Sequence, residues 1–185
     1  TLVAAVNPDS ALFSSDFRAP ERLFSLLMQA AGRAGRDAAR ADHSEMWVQT
    51  WHPTHPVYTA LRQHDFHAFA ASQLAERRIA GLPPFVHLAL LRAEARTAEA
   101  ARAFLEAAAS LASAHPGAAS LLIYPPVPTT IARVAGVERM QMLVEGESRG
   151  LLQRVLTPWM AELTTLRGAH KGVLRWALDV DPLAI

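Results

Sequence analysis

Gln29, Arg33 and Arg36 stand four and three residues apart in the string QAAGRAGR (29–36). Each arginine directly follows a glycine. A guanidinium group is a rigid fork of donors that meets phosphate or carboxylate oxygens in pairs. If one helix runs from about Glu21 past Arg33, then Arg22, Gln29, Arg33 and Arg36 are spaced 7, 4 and 3 apart. At about 100° per residue they fall in one narrow stripe. Gly32, Ala34 and Gly35 add almost no bulk, so another surface can approach closely. Two chemistries fit. The stripe meets an anion, or a second domain carrying one. Alternatively it is a solvated helix end, with glycine caps and basic residues near the negative end of the dipole.

The elements that position this stripe follow from local pattern. LVAAV (2–6) reads as a short buried strand and NPDS (7–10) as a turn. Ala19-Pro20-Glu21 reads as a helix start. Leu23, Leu26, Leu27, Ala30 and Ala31 keep the helical period. MWVQT (46–50) is a second strand, and helical patterns cover 56–63 and 65–80, closing at Gly81. LPP (82–84) is a rigid break. From Phe85 the pattern is a strand (85–95), a helix (97–114), a strand (119–124) ended by PPVP, a strand (137–146), a helix (148–166) and a strand (172–180). Pro158 inside the second of these helices predicts a kink or two helices. The order β-α-β-β-α-β is the split, ferredoxin-like arrangement, and the class expected for the whole chain is α+β.

Composition narrows the function. With 185 residues, 51% hydrophobic, the chain holds a domain, or a domain plus part of another. The net charge of +1 provides no global basic field, so any nucleic-acid contact must be local. All but one of the 18 lysines and arginines are arginines, Lys171 being the exception. There are no cysteines, which excludes disulfides and thiolate metal sites within these residues. His64 and His67, three apart on an expected helix, have no carboxylate or cysteine set beside them, so no metal site is expected. No signal peptide or apolar span is visible, in keeping with a cytoplasmic protein. The opening at Thr1, directly into an apolar run, reads as a piece of a longer chain. Trp47, Trp51, Trp159 and Trp176 are read as core or interface residues, with stacking on unpaired bases as the option for an exposed one.

QAAGRAGR resembles motif VI of superfamily 2 helicases, Q-x-x-G-R-x-G-R. LVAAVNPDSALFSSDFRAPERLFSLLMQ (2–29) resembles motif V and the approach to motif VI in one branch, the PriA (primosomal protein N′) family of replication-restart helicases. ERRIAGLPPFVHLALLRAEA (76–95) and RWALDVDP (175–182) resemble further strings of that family, so the resemblance covers nearly the whole chain. It implies that residues 1–52 end the second RecA-like lobe, 53–82 form a helical connector, and 83–185 form an α+β C-terminal domain similar to a small ribosomal-subunit protein. By the same resemblance Arg36 is an arginine finger toward the γ-phosphate of ATP. Arg33 and Gln29 support that phosphate and couple it to DNA, and Asp9 matches the acid of the motif V loop.

The phosphate loop G-x-x-x-x-G-K-[ST], the D-E-x-H motif and the family's zinc-binding cysteine pairs do not occur here. The resemblance places them upstream, together with ATP, Mg²⁺ and zinc. Residues 1–185 alone are therefore not expected to hydrolyse ATP or to hold a cofactor. The implied activity of the full protein is 3′-to-5′ unwinding at stalled forks followed by primosome assembly. The implied partners are forked or single-stranded DNA, the acidic tail of single-strand DNA-binding protein and other primosome proteins.

In the C-terminal part, Arg133, Arg139 and Gln141 are candidate partner contacts, the last two on one strand face by period two. Arg167, Lys171 and Arg175 form a second basic cluster suited to DNA phosphates. Where the family pattern has an aromatic or basic pair before Arg139, this chain has Val137 and Glu138. A stand-alone binding module for nucleic acid or peptide, without an ATP cycle, is the alternative reading.

Overall fold

Strand β1 (Leu2–Val6) pairs in parallel with strand β2 (Glu45–Gln49), Leu2 opposite Glu45 and Val6 opposite Gln49. The computed structural model describes residues 2–14, 16–34, 45–183 and 185. Parallel neighbours need a crossover, and helix α2 (Ala19–Ala34) lies within it. The expected turn at 7–10 is partly helical: α1 (Asp9–Leu12) follows Pro8, whose carbonyl accepts from the Ala11 and Leu12 amides at 3.0 and 3.1 Å. Both strands alternate along their length, turning Ala5, Met46 and Val48 onto the core. That core is Leu12, Leu23, Phe24 and Leu27 with residues of the next two helices, α3 (Pro56–Gln63) and α4 (Phe66–Ile79). The rings of Phe24 and Phe69 stack 4.1 Å apart, 3° from parallel.

Caps explain where these helices begin and end. Pro56 opens α3 with His55 Nδ1 accepting from the Val57 amide, and His64 closes it in the left-handed conformation at φ 53°. Asp65 then caps α4 by accepting from the Ala68 amide at 2.9 Å. His64 and His67 therefore stand on either side of a helix break, not on one helical face. Residues 53–82, expected as a connector, supply Val57, Tyr58, Leu61 and Phe69 to the first core.

Two compact units divide at Leu82 and Pro83. In the second, β3 (His87–Ala95) pairs antiparallel with β6 (Val137–Gly146) on one side and β7 (Val173–Val180) on the other. Strand β4 (Leu121–Ile123) pairs with the far edge of β6, so the order is β4-β6-β3-β7. Helices α5 (Ala98–Ser113) and α6 (Arg149–Ala169) bury Ala89, Leu91, Ala93, Met140, Met142 and Val144 on one sheet face. Thr97 caps α5 through the Ala100 amide. The class is α+β. No helix among the described residues is long and apolar enough to cross a membrane.

Two local expectations give way to packing. PPVP (125–128) does not end regular structure, because β5 (Val127–Val134) begins inside it and pairs with β6. Pro128 is tolerated because β5 is an edge strand, where a missing N–H costs no ladder bond. Pro158 leaves α6 a single helix. Leu152, Val155, Trp159 and Leu163 are all buried along it, which holds the helix to the sheet across the lost bond.

Strands β5 and β6 close through a two-residue turn, Ala135 at φ 50° and Gly136 at φ 79°, with Val134 opposite Val137. Positive φ at both centres is the twist-matched hairpin turn that favours Asn-Gly. Alanine is strained there. Ala135→Asn is expected to stabilise the second unit by about 0.5–1 kcal/mol, read as a raised urea midpoint at constant m.

Candidate functional site

The carboxyl ends of β1 and β2 carry a buried polar knot. Asp9 is only 8% exposed. Its Oδ1 accepts from the Thr50 hydroxyl at 2.5 Å and the Tyr58 hydroxyl at 3.0 Å, and its Oδ2 accepts from the Trp51 amide at 2.8 Å. The Thr50 bond, then the Trp51 amide, hold the Asp9 carboxyl below the usual carboxylate range, against the opposing effect of burial. Tyr58 and the nearby His52 add to the lowering. Burial pushes the Tyr58 hydroxyl up, so it stays a neutral donor. The knot ties the loop after β1, the loop after β2 and α3 into one body.

A carboxyl group that is more acidic when folded supports the fold above its ordinary titration range. That support drains away as pH falls through and below the range. Asp9→Asn is expected to lower the urea midpoint of the first unit at neutral pH and to flatten its decline between about pH 5 and pH 3. A midpoint-versus-pH series on both proteins checks it.

On α2, Arg22, Gln29 and Arg33 are exposed while Leu23, Phe24 and Leu27 are buried, so the polar stripe faces away from the core. Arg22 pairs with Asp16 at 2.7 Å. A Cβ added at Gly32 would meet nothing within 4 Å among the described residues, so the helix is open to a close approach there. Arg33 has no acidic partner among the described residues. Gly35 and Arg36 lie outside the described residues. Asp9, spent on its own knot, has no hydrogen bond or ion pair with Gln29 or Arg33 among the described residues.

The face of the C-terminal sheet opposite its helices regroups the other candidates. Residues directly opposite on neighbouring strands share a face. Glu94 on β3 stands opposite both Arg139 on β6 and Arg175 on β7, and Arg92 stands opposite Gln141 and Ala177. Arg139 Nε lies 3.2 Å from Glu94 Oε1, and Arg92 Nη1 lies 3.3 Å from Asp179 Oδ2. Arg139, Gln141 and Arg175 thus come together around Arg92, a residue that the sequence reading did not single out. Arg133 belongs to β5 and pairs with Glu138 at 3.3 Å, on the helix-side face and apart from Arg139. Arg167 sits in the last turn of α6 and Lys171 just beyond it, so the expected cluster of Arg167, Lys171 and Arg175 is split between helix end and sheet face. Just past the end of β7, Asp181 turns at φ 54° and meets Arg149 at 3.0 Å.

Residues 78–183 match the family model described as the primosomal protein N C-terminal domain. The chain belongs to the PriA family. Replication restart protein PriA of Haemophilus influenzae is 42% identical over 184 residues, covering 98% of this chain and 24% of the relative. The proteins of the same name from Treponema pallidum and Synechocystis are 35% and 33% identical over the whole chain, which covers 27% and 21% of them. The chain spans about a quarter of the length of these relatives.

Within this PriA-family segment, no group of three or more His, Asp or Glu side chains among the described residues is arranged to hold a metal. Of the four tryptophans read as core or interface, only Trp159 is fully enclosed. Trp47 and Trp51 are 61% and 87% exposed. The knot on Asp9 also escaped the sequence reading. Tyr58 lies 49 residues from Asp9, and no local pattern marks the pairing.

Proposed function

We propose that this chain is the C-terminal part of an ATP-dependent 3′-to-5′ DNA helicase that recognises stalled or branched replication forks and assembles the primosome there. The observation that carries this reading is the string QAAGRAGR, whose Gln29 and Arg33 stand exposed on α2, in a chain 42% identical to a replication restart protein. The parallel β1 and β2 with α2 between them support assigning this part to the second RecA-like lobe. Arg36 is then the arginine finger, with Arg33 and Gln29 beside it on the same phosphate. ATP and Mg²⁺ are held mainly by upstream residues, as is zinc. Asp9 acts as a positioning residue for the motif V loop, because its carboxylate already accepts three hydrogen bonds.

The strand order β4-β6-β3-β7 supports a ferredoxin-like C-terminal domain similar to a small ribosomal-subunit protein. The face around Arg92, Arg139, Gln141 and Arg175 takes an acidic partner, either DNA phosphate or the acidic tail of single-strand DNA-binding protein. Arg133, Arg167 and Lys171 contact DNA or other primosome proteins from other sides. The deciding experiment is ATP hydrolysis and DNA binding, measured side by side, by a full-length protein carrying Arg36→Ala.

A further inference from the structure

Val6, Asn7, Gln49, Thr50 and Trp51 line a cleft of about 390 Å³ at the carboxyl ends of the two parallel strands. We infer that this cleft holds a nucleobase, stacked on the Trp51 indole and read at its edge by the carboxamides of Asn7 and Gln49. The inference deepens the proposed function and rests on the reading that the protein works on DNA.

Three observations converge. First, an indole 87% exposed to water is an unfavourable use of the largest side chain unless something covers it. Its backbone is held in place. The Trp51 amide bonds Asp9, the preceding Thr50 hydroxyl bonds Asp9, and the following His52 amide bonds Thr50 Oγ1 at 3.0 Å. With the backbone fixed, only the two side-chain torsions of the indole are left to order when a ring stacks on it. Second, the polar lining is two carboxamides and one hydroxyl, with no ionised group. Asn7, at φ 52°, turns the chain at the cleft wall. Neither carboxamide has a hydrogen-bond partner among the described residues. Amides pair with the mixed donor and acceptor edge of a base, as Asn and Gln do with adenine. A phosphate would call for cations instead. Third, open α/β sheets bind ligands at the carboxyl ends of their parallel strands, and the volume lies within the usual range of such sites.

A nucleobase reaches this cleft either as an unpaired base of a strand or as the base of a free nucleotide. The test titrates the 185-residue chain with a thymidine oligonucleotide of about 20 nucleotides, longer than one typical site, with an abasic strand of the same length, and with thymidine monophosphate. Tryptophan fluorescence and anisotropy are followed together. Trp51→Ala is expected to weaken binding of the base-bearing strand by about 5- to 100-fold, Trp51→Phe to restore most of it, and neither to change binding of the abasic strand. Saturable quenching by the monophosphate, absent in Trp51→Ala, identifies the free nucleotide as the occupant. Equal binding of the oligonucleotide by wild type and Trp51→Ala, or equal binding of abasic and base-bearing strands, overturns the site. Forked duplex measured in parallel separates the two readings. Fork binding without a Trp51 effect sinks the base site alone, whereas no binding to any DNA sinks both for this segment.

Discussion

Arg36→Ala in a full-length protein carrying this chain is expected to lower ATP hydrolysis by about 10³- to 10⁵-fold and to leave DNA affinity nearly unchanged. The size follows from what an arginine finger does. Charge on the transferring phosphoryl group grows toward the transition state, so a guanidinium that reaches it lowers the barrier more than it strengthens nucleotide binding. The effect therefore falls on kcat, with KM for ATP changing little. Arg36→Lys keeps the charge and loses the two-pronged geometry, so it recovers only a small part of the rate. Arg33→Ala, on the exposed face of α2, tests whether the second guanidinium shares the phosphate. Hydrolysis that survives Arg36→Ala at close to the normal rate removes the motif VI assignment and, with it, the main support for a helicase.

The second large effect is structural. Trp159→Ala is expected to destabilise the C-terminal unit by about 3–5 kcal/mol. Trp159 is 0% exposed and is the largest of the fully buried side chains. It lies in the same core as Phe104, Leu105, Leu156 and Leu163, and its Nε1–H donates to the Ala108 carbonyl at 2.9 Å, tying α6 to α5. Truncation leaves a cavity and removes a buried hydrogen bond, but the Ala108 carbonyl keeps its donor within α5, so the cavity is the larger part of the loss. Trp159→Phe refills much of the cavity but not the hydrogen bond, so its loss is smaller. Urea unfolding followed by fluorescence and circular dichroism reads both variants. Because the two units have separate cores, the shift is expected in the transition of residues 83–183 and not in that of the first unit. A midpoint unchanged in Trp159→Ala contradicts the packing described.

The places where sequence reading and structure part company share a cause. The β1, β2, α3, α4 and β6 segments come out within a residue or two of their expected ends, because a period of 2 or 3.6 and a cap such as Asp65 are local signals. Strand β5 is hidden in the sequence because Pro125, Pro126 and Pro128 read as a break, while an edge position makes the missing N–H harmless. Nearness in the chain groups Arg175 with Arg167 and Lys171, yet antiparallel register sets it beside Glu94 and so beside Arg139.

Sequence alone determined the α+β class, the order of most elements, the helical spacing that aligns Arg22, Gln29, Arg33 and Arg36, and the PriA-family resemblance, since each rests on residues within a few turns of one another. Tertiary structure alone decided that Asp9 is bound to Thr50, Trp51 and Tyr58, that Arg92 joins Arg139, Gln141 and Arg175 on one sheet face, and that Trp51 stands in water while Trp159 is enclosed. Strand register and the layering of helices on sheets bring together residues far apart in the chain. Burial is a property of those layers, not of any single segment.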